Sequence, residues 1–247
     1  MIRYHGLPMW PKEAMIRAMY GRHGMVSYER PEQIEIAAEV CQSIVLDNGA
    51  FSAWKSGEPH DFQGYQRWCA HWLKHPAVEW CVIPDVIDGS EGENDELLLA
   101  WQLPRALSVP VWHLHEDLRR LRVLSERYNR VALGSSGEYA EPGDLKWWSR
   151  MSEIMAAVCD ADGLPRVKLH GLRMLDPVVF SHIPLSSADS CNVARNLGYD
   201  CRWDGPYTPR SKAVRALVLI DRIEHHASAS RWNPLSAGVQ QNLELFG

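Results

Sequence analysis

The spacing of apolar positions changes back and forth along the chain. Short strand-like segments are predicted at about 2–6, 25–28, 44–48, 80–84, 110–115, 130–134, 166–170 and 183–188. Between most of them the pattern shifts to helical spacing. In 60–74 the recurring positions are Phe62, Tyr65, Trp68, Cys69, Trp72 and Leu73. In 117–128 they are Leu118, Leu121, Leu124 and Tyr128, and in 144–158 they are Leu145, Trp148, Met151, Met155 and Val158. Pro142 and Asp144 supply start signals for that last helix, and Pro31 suits the first turn of a helix over 31–41.

Strands that alternate with helices predict parallel βαβ units. Eight of them within 247 residues match an α/β fold of the (β/α)8, TIM-like barrel type. A doubly wound open sheet is the alternative. No GxGxxG follows the first strand, which argues against a dinucleotide site. No internal repeat or linker interrupts the pattern. The chain therefore reads as a single domain over 1–247, with the barrel in about 1–200 and a basic, helical C-terminal extension in about 201–247.

Composition changes this picture in few places. Hydrophobic residues make up 46% of the chain, enough for a full core, and the net charge of −5 argues against an all-basic surface while allowing a local basic groove. The 6 cysteines form no CxxC pair, which fits reduced thiols in an intracellular protein better than a zinc ribbon or a dithiol centre. No signal peptide or apolar run of membrane-spanning length is evident, so a soluble, cytoplasmic protein with no membrane partner is expected. Of the 11 tryptophans, Trp68, Trp72 and Trp148 fall at predicted core positions and Trp10, Trp54, Trp203 and Trp232 in loop-like segments. A loop tryptophan can stack on a nucleobase or simply pack.

In such a barrel the functional groups belong at the C-terminal ends of the strands. Read in order, those ends offer Asp47, Asn48 and Gly49, then Asp85 and Asp88, then His113, His115 and Glu116. After these come Gly134, Ser135, Ser136 and Glu138, then Lys168, His170 and Gly171, and finally Asp189. Asp47, Asp85 and Asp189 are thus predicted to converge on one mouth. Acids gathered in a partly apolar mouth cannot all ionise, so one can donate a proton while another stays an anion, the division that cleavage of a glycosidic bond requires. A helix N-cap is the alternative role for any one of them. The glycine-rich LGSSGE stretch offers backbone N–H groups or a plain tight turn. The His113–His115 pair, with His170 and Asp189, also admits a metal site, although amidohydrolase barrels carry such a pair on the first strand rather than the fifth.

The segments LDNGAFSAWKSG, IPDVID, PVWHLHE, VALGSSGEY, VKLHGL and SADSCNVARN, in that order over about 44–198, resemble the tRNA-guanine transglycosylase superfamily. They are most similar to its DNA-modifying branch, the DpdA-type 7-deazaguanine DNA transglycosylases of phages and bacteria. The resemblance implies a (β/α)8 barrel and a pentosyltransferase that exchanges guanine in DNA for a 7-deazaguanine such as preQ0, without cutting the strand. Its partners would be DNA and the free 7-deazaguanine base, with no cofactor. The location would be cytoplasmic, the host cytoplasm for a phage-encoded chain. Nothing in the pattern specifies an oligomeric state.

By the same resemblance Asp189 is the nucleophile and Asp47 the general acid/base. Asp85 reads the N1 and 2-amino edge of the base, and Gly134, with Ser135 beside it, lies where a backbone N–H meets O6. His115 occupies the place of a base-contacting glutamine, and His170 belongs to the same substrate-binding set. Asn48 and Ala50 depart from the family's Asp-Ser-Gly-Gly-Phe motif. The zinc cluster of the tRNA enzymes is not reproduced, since Cys191, Cys201, His225 and His226 lack its spacing, which favours the DNA branch and leaves a structural zinc on these scattered ligands as the less favoured alternative. A flipped-out nucleotide would need phosphate contacts, for which Arg195, Arg202, Arg210 and Lys212 are the candidates, and an aromatic such as Trp54 or Trp203. A tRNA-directed exchanger and a non-catalytic nucleic-acid-binding barrel are the alternatives.

Overall fold

The computed structural model describes residues 1–57, 60–198, 203 and 207–234. Strands β1 (Ile2–Leu7), β2 (His23–Ser27), β3 (Ser43–Asp47) and β4 (Val78–Val82) are followed by the short β5 (Ser108–Val109) and β6 (Val111–His113). Then come β7 (Arg130–Gly134), β8 (Lys168–Gly171) and β9 (Ser187–Ser190). Every pairing is parallel, in the order β5-β4-β3-β2-β1-β9-β8-β7-β6.

Pro110 explains why nine strands make a barrel of eight positions. It separates β5, which pairs with β4, from β6, which pairs with β7. Proline has no N–H to donate, but its carbonyl still accepts from Ala132 N at 2.9 Å, while Val109 O accepts from Ile83 N at 2.8 Å. The segment 108–113 therefore joins the two edges of the sheet and closes it. The predicted α/β barrel is the observed fold, and each predicted strand segment overlaps an observed one. The eighth starts later than expected, at Ser187 rather than 183, because Ile183 to Ser186 form the turn that leads into it.

The helices are α1 (Lys12–Met19), α2 (Ile34–Val40), α3 (Ala50–Ser56), α4 (Phe62–Trp72) and α5 (Glu91–Ala100), followed by α6 (Leu118–Arg127), α7 (Leu145–Val158), α8 (Pro177–Phe180), α9 (Asn192–Arg195) and α10 (Lys212–Glu224). The C-terminal helix α10 packs along α1. It is tied there by Arg22, which donates to Asp221 at 2.9 Å and Glu224 at 3.0 Å, and by His5 Nε2, 3.1 Å from Glu224.

Strand alternation sorts the core into two parts. Leu46, Trp112, Leu133, Leu169 and Ala188 face the helices, in one continuous apolar layer with Trp147, Met151 and Met155 of α7. Tyr4, Met25, Val45, Trp80, Val82, Val109, Val111 and Ala132 fill the barrel interior. Within it the Trp80 ring meets Tyr4 edge-on at 5.6 Å and His170 at 4.9 Å. Trp148 is buried as predicted, and Trp147 beside it is buried completely. Trp203 and Trp232 are also buried, so the loop reading that left Trp203 free to stack on a base does not hold. Trp54 is half exposed, but it lies on α3 rather than in a loop.

Candidate active site

The alternation that builds the barrel also builds its mouth. Two residues beyond inward-facing Val45 comes Asp47, the last residue of β3, and two beyond Val111 comes His113, the last of β6. Ala132 leads likewise to Gly134, and Ser187 to Asp189. Asp85 arrives differently. It follows Pro84 in the loop after β4, and is fixed by side chains rather than by strand register. Asp47, Asn48, Asp85, His113, Gly134, Ser135, Asp189 and Arg195 all line one cleft of about 850 Å³. That volume falls within the roughly 300–1,000 Å³ typical of small-molecule sites. Leu7, Phe51, Ile87, Leu172 and Leu175 add apolar surface to its wall, and Arg30, Glu141, Arg173 and Asp176 add charge.

The three acids have different surroundings. Asp85 is buried and holds both oxygens in hydrogen bonds, Oδ1 accepting from Asn48 Nδ2 at 2.6 Å and Oδ2 lying 2.9 Å from His113 Nε2. Asn48 in turn donates to Ile83 O at 3.0 Å and accepts from Ala50 N at 2.8 Å. Its polar capacity goes to holding the acid. Asp189 Oδ1 accepts from the backbone N–H of Arg173 at 3.1 Å. Asp47 Oδ2 accepts from Gly49 N at 3.2 Å. Burial, then the negative charge of Asp189, pushes the Asp47 pKa up to about 7; Asp85 adds to the rise and the neighbouring Ser27 hydroxyl opposes it. Asp47 can therefore give or take a proton near neutrality.

Two glycines are needed for this geometry. Gly49 caps α3 at φ +78°, and a Cβ there would lie 2.5 Å from Glu29 Cγ. A Cβ on Gly134 would stand 2.9 Å from His113 Nδ1, so the imidazole that orients Asp85 rests where a side chain would be.

Other predicted residues are placed less directly. Ser135 lines the cleft, but its hydroxyl accepts from Trp147 Nε1 at 3.0 Å. His170 is fully buried beneath the cleft floor, and burial lowers its pKa and keeps the imidazole neutral, so it is not exposed to a ligand. His115 stacks beside His113, ring centroids 5.7 Å apart, but does not line the cleft. The strand ends at His113, and His115 turns out to solvent with Nδ1 2.8 Å from Ser136 Oγ. The inward-facing HxH pair is thereby overturned. Among the described residues no group of three or more His, Cys, Asp or Glu is arranged to hold a metal ion. Of the scattered zinc candidates, Cys191 lines the cleft and is a free thiol, His225 Nδ1 is 2.6 Å from its own helix's Asp221 O, and Cys201 lies outside the described residues.

Three residues assigned to the mouth belong elsewhere. Glu116 is buried against Arg120, Nη1 donating at 2.7 Å, and also accepts from His113 N and Asn94 Nδ2 at 3.0 and 3.1 Å. Lys168 begins β8 and so sits at the opposite end of the barrel. Asp88 lies outside the cleft lining, where it accepts from Trp54 Nε1 at 2.6 Å. Of the basic candidates, Arg195 lines the cleft, Arg210 and Lys212 are exposed outside it, and Arg202 lies outside the described residues.

Arg173 and His113 are the residues that the strand-end reading undervalued. Arg173 has φ +60°, rare for a side chain larger than glycine. This turns its N–H toward Asp189, while its guanidinium donates to Ser135 O at 2.8 Å and lies 4.1 Å from the Phe51 ring centroid. Nothing in the local sequence signals that backbone. His113 had a signal, its even spacing from Val111. Comparison of the chain with family models, curated proteins and solved structures returned no match.

Proposed function

We propose that this barrel is a DNA-guanine transglycosylase, exchanging guanine in DNA for a 7-deazaguanine base such as preQ0. The observation that carries the reading is the gathering of Asp47, Asp85 and Asp189 in one cleft, with burial and the charge of Asp189 raising Asp47 toward neutrality.

In this reading an oxygen of Asp189 attacks C1′ of an extruded guanosine nucleotide. The C1′–N9 bond breaks, its electron pair leaves with guanine, and the proton of Asp47 neutralises the departing base. An aspartyl ester to C1′ remains. Guanine leaves, the 7-deazaguanine enters, and Asp47, now a carboxylate, takes its N9 proton. N9 then attacks C1′ and breaks the ester. Two inversions give net retention, and the phosphodiester chain is untouched. Asp85, steered by Asn48 and His113, has lone pairs left to accept from N1–H and the 2-amino group. Arg195 at the cleft edge supplies a phosphate contact. This is consistent with a net-acidic protein acting on a polyanion.

The test is mass spectrometry of nucleosides from DNA and from tRNA, each incubated with the protein and preQ0. Incorporation into DNA supports the reading, and incorporation into tRNA alone redirects it to the tRNA enzyme. No incorporation into either, with nucleic-acid binding retained, favours a non-catalytic binding barrel.

A further inference from the structure

Asp189 is reached from below as well as from the cleft. Arg130 begins β7, at the end of the barrel opposite the mouth, and its Nη1 lies 2.5 Å from Ser187 Oγ and 3.3 Å from Ser186 Oγ. Ser187 Oγ is 2.9 Å from His170 Nδ1. Both Ser187 and His170 are fully buried. His170 Nε2 stands 3.3 Å from Asp189 Oδ1 and makes no well-aligned hydrogen bond among the described residues.

A guanidinium only donates, so Ser187 Oγ must accept from Arg130. The one proton of that hydroxyl then needs an acceptor. Among the described residues the partner available is His170 Nδ1. A buried hydroxyl left without an acceptor is costly. Nδ1 therefore carries no proton, and the neutral imidazole carries its proton on Nε2, facing Asp189.

We infer that His170 is a positioning residue: its Nε2–H faces Oδ1 of Asp189 at 3.3 Å as a charge–dipole contact beside the hydrogen bond from Arg173 N–H, which biases Oδ1 toward these donors and leaves Oδ2 as the attacking oxygen, its tautomer being dictated through Ser187 by Arg130 at the far end of the barrel. No donor is bound to Oδ2 among the described residues. The inference rests on the reading of Asp189 as nucleophile, but its structural half is independent of any activity.

That half is tested by nitrogen-15 NMR of histidine-labelled protein. The Nε2–H tautomer is expected for His170, with a shift toward a mixture in Ser187→Ala. An Nδ1–H tautomer in the unaltered protein overturns the inference. The kinetic half uses preQ0 exchange, with Asp189→Asn as the control. His170→Ala should lower kcat on the order of 10- to 100-fold with little change in KM. His170→Gln, whose amide can reach the Nε2 position, should recover more of kcat than His170→Asn. If Asp189→Asn still exchanges, the nucleophile reading fails whatever His170 does. If Asp189→Asn is inactive while folded His170→Ala keeps full kcat, the positioning role alone fails.

Discussion

At the end of the barrel opposite the mouth, Glu79 accepts from Tyr4 Oη at 2.7 Å and shares a small hollow with Arg105, Arg130 and Lys168. In the layer between strands and helices, Glu116 is closed off by Arg120 and two further N–H donors. At the mouth no Lys or Arg side chain, among the described residues, forms an ion pair with Asp47, Asp85 or Asp189. The same residue chemistry is thus used in two ways. An acid that holds the fold together is given cations and donors, because a buried charge without them is costly. The mouth acids are steered by Asn48, His113 and backbone N–H groups and left open to the cleft, and Asp47 is raised toward neutrality. A buried acid kept without a cation where a ligand can enter points to chemistry rather than to stability.

Substitutions on the two sides of this contrast should separate cleanly. The largest effect belongs to Asp189→Asn, which should lower exchange on the order of 10³-fold or more while DNA affinity stays within a few-fold, read by preQ0 incorporation and by filter binding. Asp47→Asn should follow, with a loss of about 10²- to 10⁴-fold in exchange.

Asp47→Asn should also be more stable than the parent at pH 8. The sign follows from linkage: folding raises this carboxyl from 3.8 to about 7, so between those values the folded state holds a proton that the unfolded chain has lost, and stability falls as pH rises. The amide removes that slope. Its gain should be roughly 1–3 kcal/mol at pH 8, allowing about 1.4 kcal/mol per unit and a discount for solvent, and should vanish near pH 4. Urea melts at the two pH values measure it.

Glu116→Ala should do the reverse. It removes the buried carboxylate partner of Arg120, leaving only the more exposed Asp95 at 2.9 Å, and destabilises the protein by up to about 3–5 kcal/mol in urea melts, while the fraction that remains folded keeps its kcat. The smallest effect is expected for Arg195→Ala, a few-fold weaker DNA binding with the salt slope reduced by about 1.

The barrel was legible in the sequence because its strands are buried on both faces and separated by helices of clear period, as in α4, α6 and α7. α5 had only its ends to announce it. Its sequence ENDELLL has no amphipathic period, and the informative signal was the Ser90–Glu93 capping box. The convergence of Asp47, Asp85 and Asp189 was legible because strand ends in a closed parallel barrel share a rim. Two-residue alternation also carried His113, but it misled at His115, where the strand had already ended. Neither the left-handed backbone of Arg173 nor the closure through Pro110 could be read locally, since each is imposed by neighbours distant in sequence. Glu116 was misplaced for a different reason: its partner Arg120 lies only four residues on, and this local pair draws it away from the mouth into the packed layer.

The central claim is that Asp189 carries the sugar during base exchange. It is tested most directly by incubating the protein with a guanine-containing DNA oligonucleotide, denaturing, and mapping any covalent adduct by peptide mass spectrometry. The account predicts an adduct on the peptide containing Asp189, absent in Asp189→Asn and discharged when preQ0 is added. Steady exchange with no adduct at Asp189, or with one on a different residue, would contradict it.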